Sequence, residues 1–435
     1  MRLAAILAGI AVVLAAAFSP VVPARSQPEM VGRAAHVRDF AFYGLNEVNL
    51  DIPAGWMAEH VDIVEDDGFT AQHAEAFKRA GGKLALAYTD PTNVPYCSPP
   101  FRPPAGRCEG PIGNLVSGDE SAWLHDARGE RVRRRYEDPH FRYQEVLNPA
   151  SPAARRAYAR AAAAILAHAP HLDGFVADDS GSPYTGRDGV VGSNLFGGFE
   201  NRGVEIRDDA HWIEAESGML AAAGKPVLIN GGDPRTWGAS YGGRFIDLPH
   251  VLGQEFEGCF DNGDSGFYTE RDRRFEREAD GLLEVTAHRK LAVCLPTGPP
   301  EPARRLYVYA AWLLTYDPRY SVFGMHRKLR DGFAVYPEVT LVPGAPRASG
   351  PIASLRRGAT YVREFAACAI AQSPLGPCAA VVNAGESGAS LPPLEGRYAR
   401  HLTLDAVSSY TGGRVRVADG LPAGLAGTSA AILVR

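Results

Sequence analysis

The sequence predicts an α/β chain: a (β/α)8 TIM barrel followed by a small C-terminal antiparallel β-domain of sandwich-like character. Three observations predict it. Eight short apolar runs alternate with helical stretches between residues 40 and 324, two of those runs end in paired carboxylates, and beyond Tyr336 the texture changes to short alternating runs broken by Gly and Pro. Acids placed where a parallel strand leaves its sheet are the mark of a barrel mouth. A dinucleotide-binding sheet is disfavoured, because no strand leads through a G-x-G-x-x-G turn into a helix.

The strands are expected over residues 40–45, 61–65, 83–88, 172–177, 226–229, 251–256, 290–295 and 320–324. Helical stretches separate several of them, most clearly over 71–80, 152–169, 271–288 and 302–315, while the first βα unit carries the weakest signal. Pro152 behind Ser151 is a favoured helix start, since Pro gives up an amide the first turn cannot use and Ser accepts from one it must satisfy. An insertion over 93–149 follows the third strand, and loops of that length above a barrel are usually functional.

Residues 1–24 read as a signal peptide: Arg2, an apolar run from Leu3 to Phe18, and small residues around Val22-Pro23-Ala24 at the cleavage spacing. The run is shorter than the roughly 20 residues that span a bilayer, so no stable membrane insertion is expected after cleavage. The Ala- and Arg-rich composition suits a bacterium, with the periplasm or the exterior as destination. The barrel is expected over 36–335 and the β-domain over 336–435. Acids outnumber bases, 50 to 45, and the one basic cluster, Arg131-Val132-Arg133-Arg134-Arg135, reads as a solvated hairpin edge, so nucleic acid is not an expected partner.

Six cysteines in an exported chain should pair, and the spacing suggests Cys97 with Cys108, Cys368 with Cys378 and Cys259 with Cys294. The third pair follows from placing both residues near the ends of adjacent barrel strands. No C-x-x-C spacing favours a thiolate metal site, and the histidines show no H-E-x-x-H pattern, so neither a metal nor a cofactor is expected.

The acids carry the chemistry. Asp178 directly follows the fourth strand and points into the mouth, whereas Asp179 faces another way and has a turn-capping alternative. On the sixth strand Glu255 and Glu257 are two apart and share a face, with Glu257 nearer the rim. Glycosidic cleavage needs one acid to protonate the leaving oxygen and one carboxylate to attack the sugar or activate water. Asp178 and Glu257 are the expected pair, with Asp179 and Glu255 as alternates. Tyr43, Asp66, Tyr88, Asp90, Asn230, Asp233 and His326 sit at strand ends and are expected to line the same cavity.

Leu172-Asp173-Gly174-Phe175-Val176-Ala177-Asp178-Asp179, Glu257-Gly258-Cys259-Phe260, Tyr361-Val362-Arg363-Glu364-Phe365 and Val381-Val382-Asn383 resemble the hypothetical glycoside hydrolase-like barrel families. These are similar in turn to the endo-α-1,4-polygalactosaminidases. The resemblance covers most of the mature chain and implies that the Asp of a D-G-x-x-x-D pattern and a later-strand Glu are catalytic. Asp173 to Asp178 matches the first element, and Glu255 and Glu257 both remain open for the second.

The expected function is that of an exported glycosidase acting on a polysaccharide or oligosaccharide, with Asp178 as nucleophile or base and Glu257 as proton donor. The alternative is a non-catalytic carbohydrate-binding or cell-envelope protein on a barrel scaffold. Carboxyls roughly 5 to 10 Å apart fit hydrolysis, the short end implying retention of anomeric configuration and the long end inversion.

Overall fold

The computed structural model describes residues 36–44, 49–67, 70–97, 115–116, 118–125, 129–138, 141–178, 180, 218–231, 245–261, 267–271, 273–296, 301–324, 337–405 and 414–435. The expected signal peptide lies outside the described residues.

In chain order the barrel begins with β1 (Asp39–Phe42), α1 (Ala54–His60), β2 (Ile63–Asp66), α2 (Gln72–Arg79) and β3 (Leu84–Thr89). A small sheet follows from the insertion: β4 (Asn93–Cys97), β5 (Arg133–Asp138) and β6 (Phe141–Val146), ordered β4-β6-β5. The chain then returns through α3 (Pro152–His168), β7 (Gly174–Ala177), β8 (Val227–Asn230), β9 (Val251–Glu257), α4 (Arg274–Ala287), β10 (Leu291–Leu295), α5 (Pro302–Leu313) and β11 (Ser321–Gly324). The barrel strands close in the order β1-β11-β10-β9-β8-β7-β3-β2, and every pairing is parallel. Each of the eight overlaps its predicted run. Strands buried on both faces need almost continuous apolar sequence, which is why Phe-Val-Ala, Val-Leu-Ile and Leu-Ala-Val were visible as strands.

The helices obey the same logic. Ser151 accepts a hydrogen bond from the Ala153 amide at 3.1 Å, opening α3 where Pro152 predicts it. That helix buries Ala153, Ala154, Ala157, Ala161 and Ala162 beside Tyr158 and Ile165, small side chains that bring its axis close to the sheet. Helix α1 was not among the predicted helices. It spans seven residues behind Pro53 and buries only Met57 and Ala58, too short a stretch to show a periodic pattern.

From Leu341 onward the chain forms an antiparallel sheet: β12 (Leu341–Pro343), β13 (Arg356–Arg357), β14 (Thr360–Ile370), β15 (Ser373–Asn383), β16 (Arg400–Leu404), β17 (Val415–Asp419) and β18 (Ser429–Val434). Its order is β12-β14-β15-β18-β16-β17, with β13 on β14. The antiparallel C-terminal part is as predicted. Alternation along the strands gives each face its own cover. Tyr361, Phe365, Ala380, Val382, Ile432 and Val434 join the core shared with α5, whereas Val362, Ala379, Val381 and Leu433 pack under Leu391, Leu394 and Tyr398.

Helix α5 is apolar almost all round because it lies between barrel and sheet, burying Tyr307 through Leu313 without interruption. At its first turns Arg305 meets Glu338 in a fully buried ion pair. Two of the three expected disulfides are present. Cys259–Cys294 joins β9 to β10 with Cα atoms 5.3 Å apart, and Cys368–Cys378 joins β14 to β15 at 5.9 Å. Cys108, and with it the Cys97–Cys108 pairing, lies outside the described residues. No helix among the described residues is long and apolar enough to cross a membrane.

Candidate active site

Every barrel strand delivers its last residues to one rim, and four neighbouring strands there, β3, β7, β8 and β9, bring their polar side chains together. β7 ends at Ala177, and the Asp178 amide donates to Thr89 O at 2.8 Å, which carries Asp178 out of the sheet beside the end of β3. The turn is then closed by Ser180, whose amide donates to Asn230 O at 3.0 Å and whose hydroxyl donates to Ala177 O at 2.9 Å. Gly231 is what permits this closeness. It has φ +139°, and a Cβ there would come within 2.4 Å of Ser180 O.

Glu257 is the last residue of β9. Behind it the Gly258 amide donates to Leu295 O at 2.9 Å, and the Cys259–Cys294 disulfide ties the exit of β9 to β10. Asp261, fully buried, pairs with Arg304 at the start of α5. The segment that follows Glu257 is thus fastened at three points within four residues.

Between Asp178 and Glu257 stands Asn230, the last residue of β8. Its Nδ2 donates to Asp178 Oδ1 at 2.9 Å and to Glu257 Oε2 at 3.3 Å. The Tyr88 hydroxyl donates to the other oxygen, Asp178 Oδ2, at 2.9 Å. Two oxygens that share one nitrogen donor stand no more than about 6 Å apart, at the short end of the separations used for glycosidic cleavage. Glu257 is exposed at the rim, and Asp178 and Asn230 are half-buried.

A second level of acids lies below. Glu255 is buried and on the same face of β9 as Glu257. Glu65, one residue before the end of β2, is buried too. Burial holds both carboxyls well above the usual carboxylate range. For Glu255 the charges of Glu257 and Asp178 push the same way, and for Glu65 those of Glu255, Asp178, Glu257 and Asp66 do so.

The structure therefore brings together Asp178, Glu257, Tyr88 and Asn230 from the predicted set, with Glu255 underneath. Other predicted residues have local work. The Tyr43 hydroxyl donates to Ile52 O at 2.7 Å and its ring packs on His73. Asp66 accepts from the amides of Asp67, His73 and Ala74, which satisfies the start of α2, and burial raises its proton affinity. Gly44, at φ +111°, leaves room for it, since a Cβ there would lie 2.0 Å from Asp66 Oδ1. Asp90 is half-buried and accepts from the Thr92 amide at 3.3 Å, an Asx turn opening the insertion. Asp179, Asp233 and His326 lie outside the described residues.

Glu65 is the site residue that sequence reasoning missed. The signal is in the sequence, since Ile63-Val64-Glu65-Asp66 ends in two acids just as the fourth strand does, with Asp66 at the very tip. Alternation turns Glu65 inward and leaves Asp66 to the helix.

No family model matches the chain, and no curated protein matches it. Among solved structures it is similar to the glycoside hydrolase domain of PelA from Pseudomonas aeruginosa, with 13% identity and a TM-score of 0.41 over 66% of this chain and 94% of that one. It is similar to Ega3 from Aspergillus fumigatus, solved with galactosamine, at 11% identity and a TM-score of 0.38 over 69% and 95% of the two chains. An α-galactosidase from Thermus thermophilus gives 14% and 0.41 over 81% and 68%. None of these three scores reaches 0.5, and the chemistry at the rim rests on its own residues.

Proposed function

We propose that this protein is an exported, retaining glycoside hydrolase in which Asp178 is the nucleophile and Glu257 the proton donor. The observation that carries the reading is the single Asn230 amide shared by both carboxyls, which keeps their nearest oxygens within about 6 Å and so favours a displacement through a glycosyl-enzyme. Asp178 accepts hydrogen bonds on both oxygens, from Tyr88 and Asn230, an arrangement that suits an ionised carboxylate because such a group is an acceptor only. Glu257 stands exposed where a leaving group would depart.

In the first step Asp178 attacks the anomeric carbon, the bond to the glycosidic oxygen breaks, and Glu257 gives that oxygen its proton. In the second step Glu257, now a carboxylate, takes a proton from water while the water oxygen attacks the anomeric carbon and Asp178 leaves. Both groups end as they began.

The test is hydrolysis of a panel of bacterial exopolysaccharides and aryl glycosides. The resemblance to endo-α-1,4-polygalactosaminidases puts galactosamine-containing polymers first. Asp178→Asn and Glu257→Gln should each lower turnover by about 10²- to 10⁴-fold with folding intact, since the amides keep the shape but cannot attack or exchange the proton. Asp179→Asn should retain activity. Near wild-type turnover in Asp178→Asn overturns the assignment, and loss in Glu255→Gln alone moves the donor down one level. Sugar binding by the wild type without turnover of any substrate favours a binding protein instead.

A further inference from the structure

Beneath the proposed catalytic pair lie two acids for which that mechanism has no use. Glu65 on β2 and Glu255 on β9 belong to strands four places apart in either direction around the eight-stranded ring, so they face one another across the barrel axis. They are 2% and 4% exposed, and each has an Oε2 with no hydrogen-bond partner among the described residues. The charges that bear most on them are other acids: Glu257 and Asp178 on Glu255, and Glu255, Asp178, Glu257 and Asp66 on Glu65. Strands β8, β10 and β11 carry no charged residue, and β1 carries only Asp39, engaged with the Asp62 amide at the opposite end of the barrel. Tyr88 on β3 is spent on Asp178.

Two buried carboxylates facing each other, with no cation beside them among the described residues, are strongly disfavoured as a doubly ionised pair, because neither charge has a partner to offset its loss of solvation. A protonated carboxyl differs from a carboxylate in kind: it can donate a hydrogen bond. We infer that Glu65 and Glu255 form a buried carboxyl pair that keeps at least one proton at neutral pH and presents it as a hydrogen-bond donor to the sugar held between Asp178 and Glu257. The sugar contact rests on the glycosidase reading, whereas the retained proton does not. The group such a donor recognises is a neutral oxygen acceptor, a ring hydroxyl or the ring oxygen, rather than a cation.

The signs for stability follow from the raised proton affinity. Below about pH 4.3 the unfolded chain and the folded chain both hold these protons. As pH rises, the unfolded chain releases them first, so the stability associated with the pair is lost progressively above that point. A Gln side chain, neutral at every pH and shaped like the protonated acid, escapes this loss.

The experiment compares the full-length protein with Glu65→Gln and Glu255→Gln. Thermal unfolding should show both variants within about a degree of wild type at pH 4 and several degrees above it at pH 8. Infrared absorption at pH 7 should contain a protonated-carboxyl band that is weakened or absent in the variants. A Tm difference that does not change with pH, together with no such band in the wild type, overturns the inference whatever the protein hydrolyses. Once a substrate is known, the alkaline limb of the kcat/KM profile should move to higher pH in both variants. A loss of a hundredfold or more at every pH would show that a charge, not a proton, is what the pair supplies. If wild type hydrolyses nothing, the unfolding and infrared results still decide the proton, and the hydrolase reading alone fails.

Discussion

Asn230 Nδ2 lies 2.9 Å from Asp178 Oδ1, so a barrel strand that contributes no acid of its own sets the position of the carboxylate on its neighbour. The same nitrogen reaches Glu257 on the other side at 3.3 Å. An amide between two acids also weakens their mutual repulsion, since its two hydrogens point at both.

Removing that amide should be costly to catalysis and cheap to folding. Asn230→Ala is expected to lower kcat by about 10²-fold, in line with the loss of one aimed donor from a catalytic site. Steady-state kinetics beside a melting curve checks this. An unchanged kcat would show that Asn230 does not organise the pair.

The short carboxyl spacing predicts the stereochemistry of the product. The first sugar released should keep the anomeric configuration of the substrate, because carboxyl oxygens that share one amide donor sit closer than the separation that accommodates an interposed water. Proton NMR of the earliest product, before mutarotation, gives the answer, and the inverted anomer would rule out Asp178 as nucleophile.

The Cys259–Cys294 disulfide begins two residues beyond Glu257, so it should matter for activity as well as stability. Replacing both cysteines with Ser should cost about 4 kcal/mol, given the sequence separation of 35, and reduce turnover under conditions where the protein is still folded. Replacing Cys368 and Cys378, only 10 apart and in the C-terminal sheet, should cost about 3 kcal/mol and leave turnover unchanged. Denaturant titration paired with activity separates the two, and equal effects on turnover would contradict the positioning role.

Burial and the nearby Lys290 push the His250 imidazole down to about 4. The folded protein thus holds this ring neutral while the unfolded chain protonates near pH 6.5, so stability should fall as pH drops from about 6.5 towards 4. His250→Gln should flatten that part of the pH–stability curve. An unaltered slope in the variant would mean that His250 does not contribute to acid sensitivity.

The buried ion pair of Arg305 and Glu338 links α5 to the turn that leads into β12. Glu338→Gln should destabilise the protein by about 3 to 5 kcal/mol, because Arg305 would be left buried and charged without its counterion. The Arg305→Met, Glu338→Leu double variant should recover most of that loss, and a double variant worse than the single one would contradict the argument.

The barrel was legible in the sequence because its strands are parallel and buried on both sides, which writes each one as an apolar run such as Leu84–Thr89 or Leu291–Leu295. Asp178 and Glu257 were legible because they end such runs. Helix α1 was not, being short and burying only two residues. Glu65 is not distinguished from Asp66 by sequence, because both end the same strand and only the closed barrel decides which of the two side chains faces its interior.

Chain order alone settles which residues share a strand and a face, so it settled the eight runs and the acids that end two of them, whereas the partnering of Cys259 with Cys294 also needed their strands to be neighbours in the barrel. It does not settle distances between strands far apart in sequence. Asn230 and Asp178 are 52 residues apart, and Asn230 and Glu257 are 27 apart. Only closure of the barrel places one amide on two carboxyls and sets Glu65 opposite Glu255. The reason is geometric: parallel strands meet through long crossovers, so the groups that meet at the rim are neighbours by hydrogen-bonded register and never by sequence.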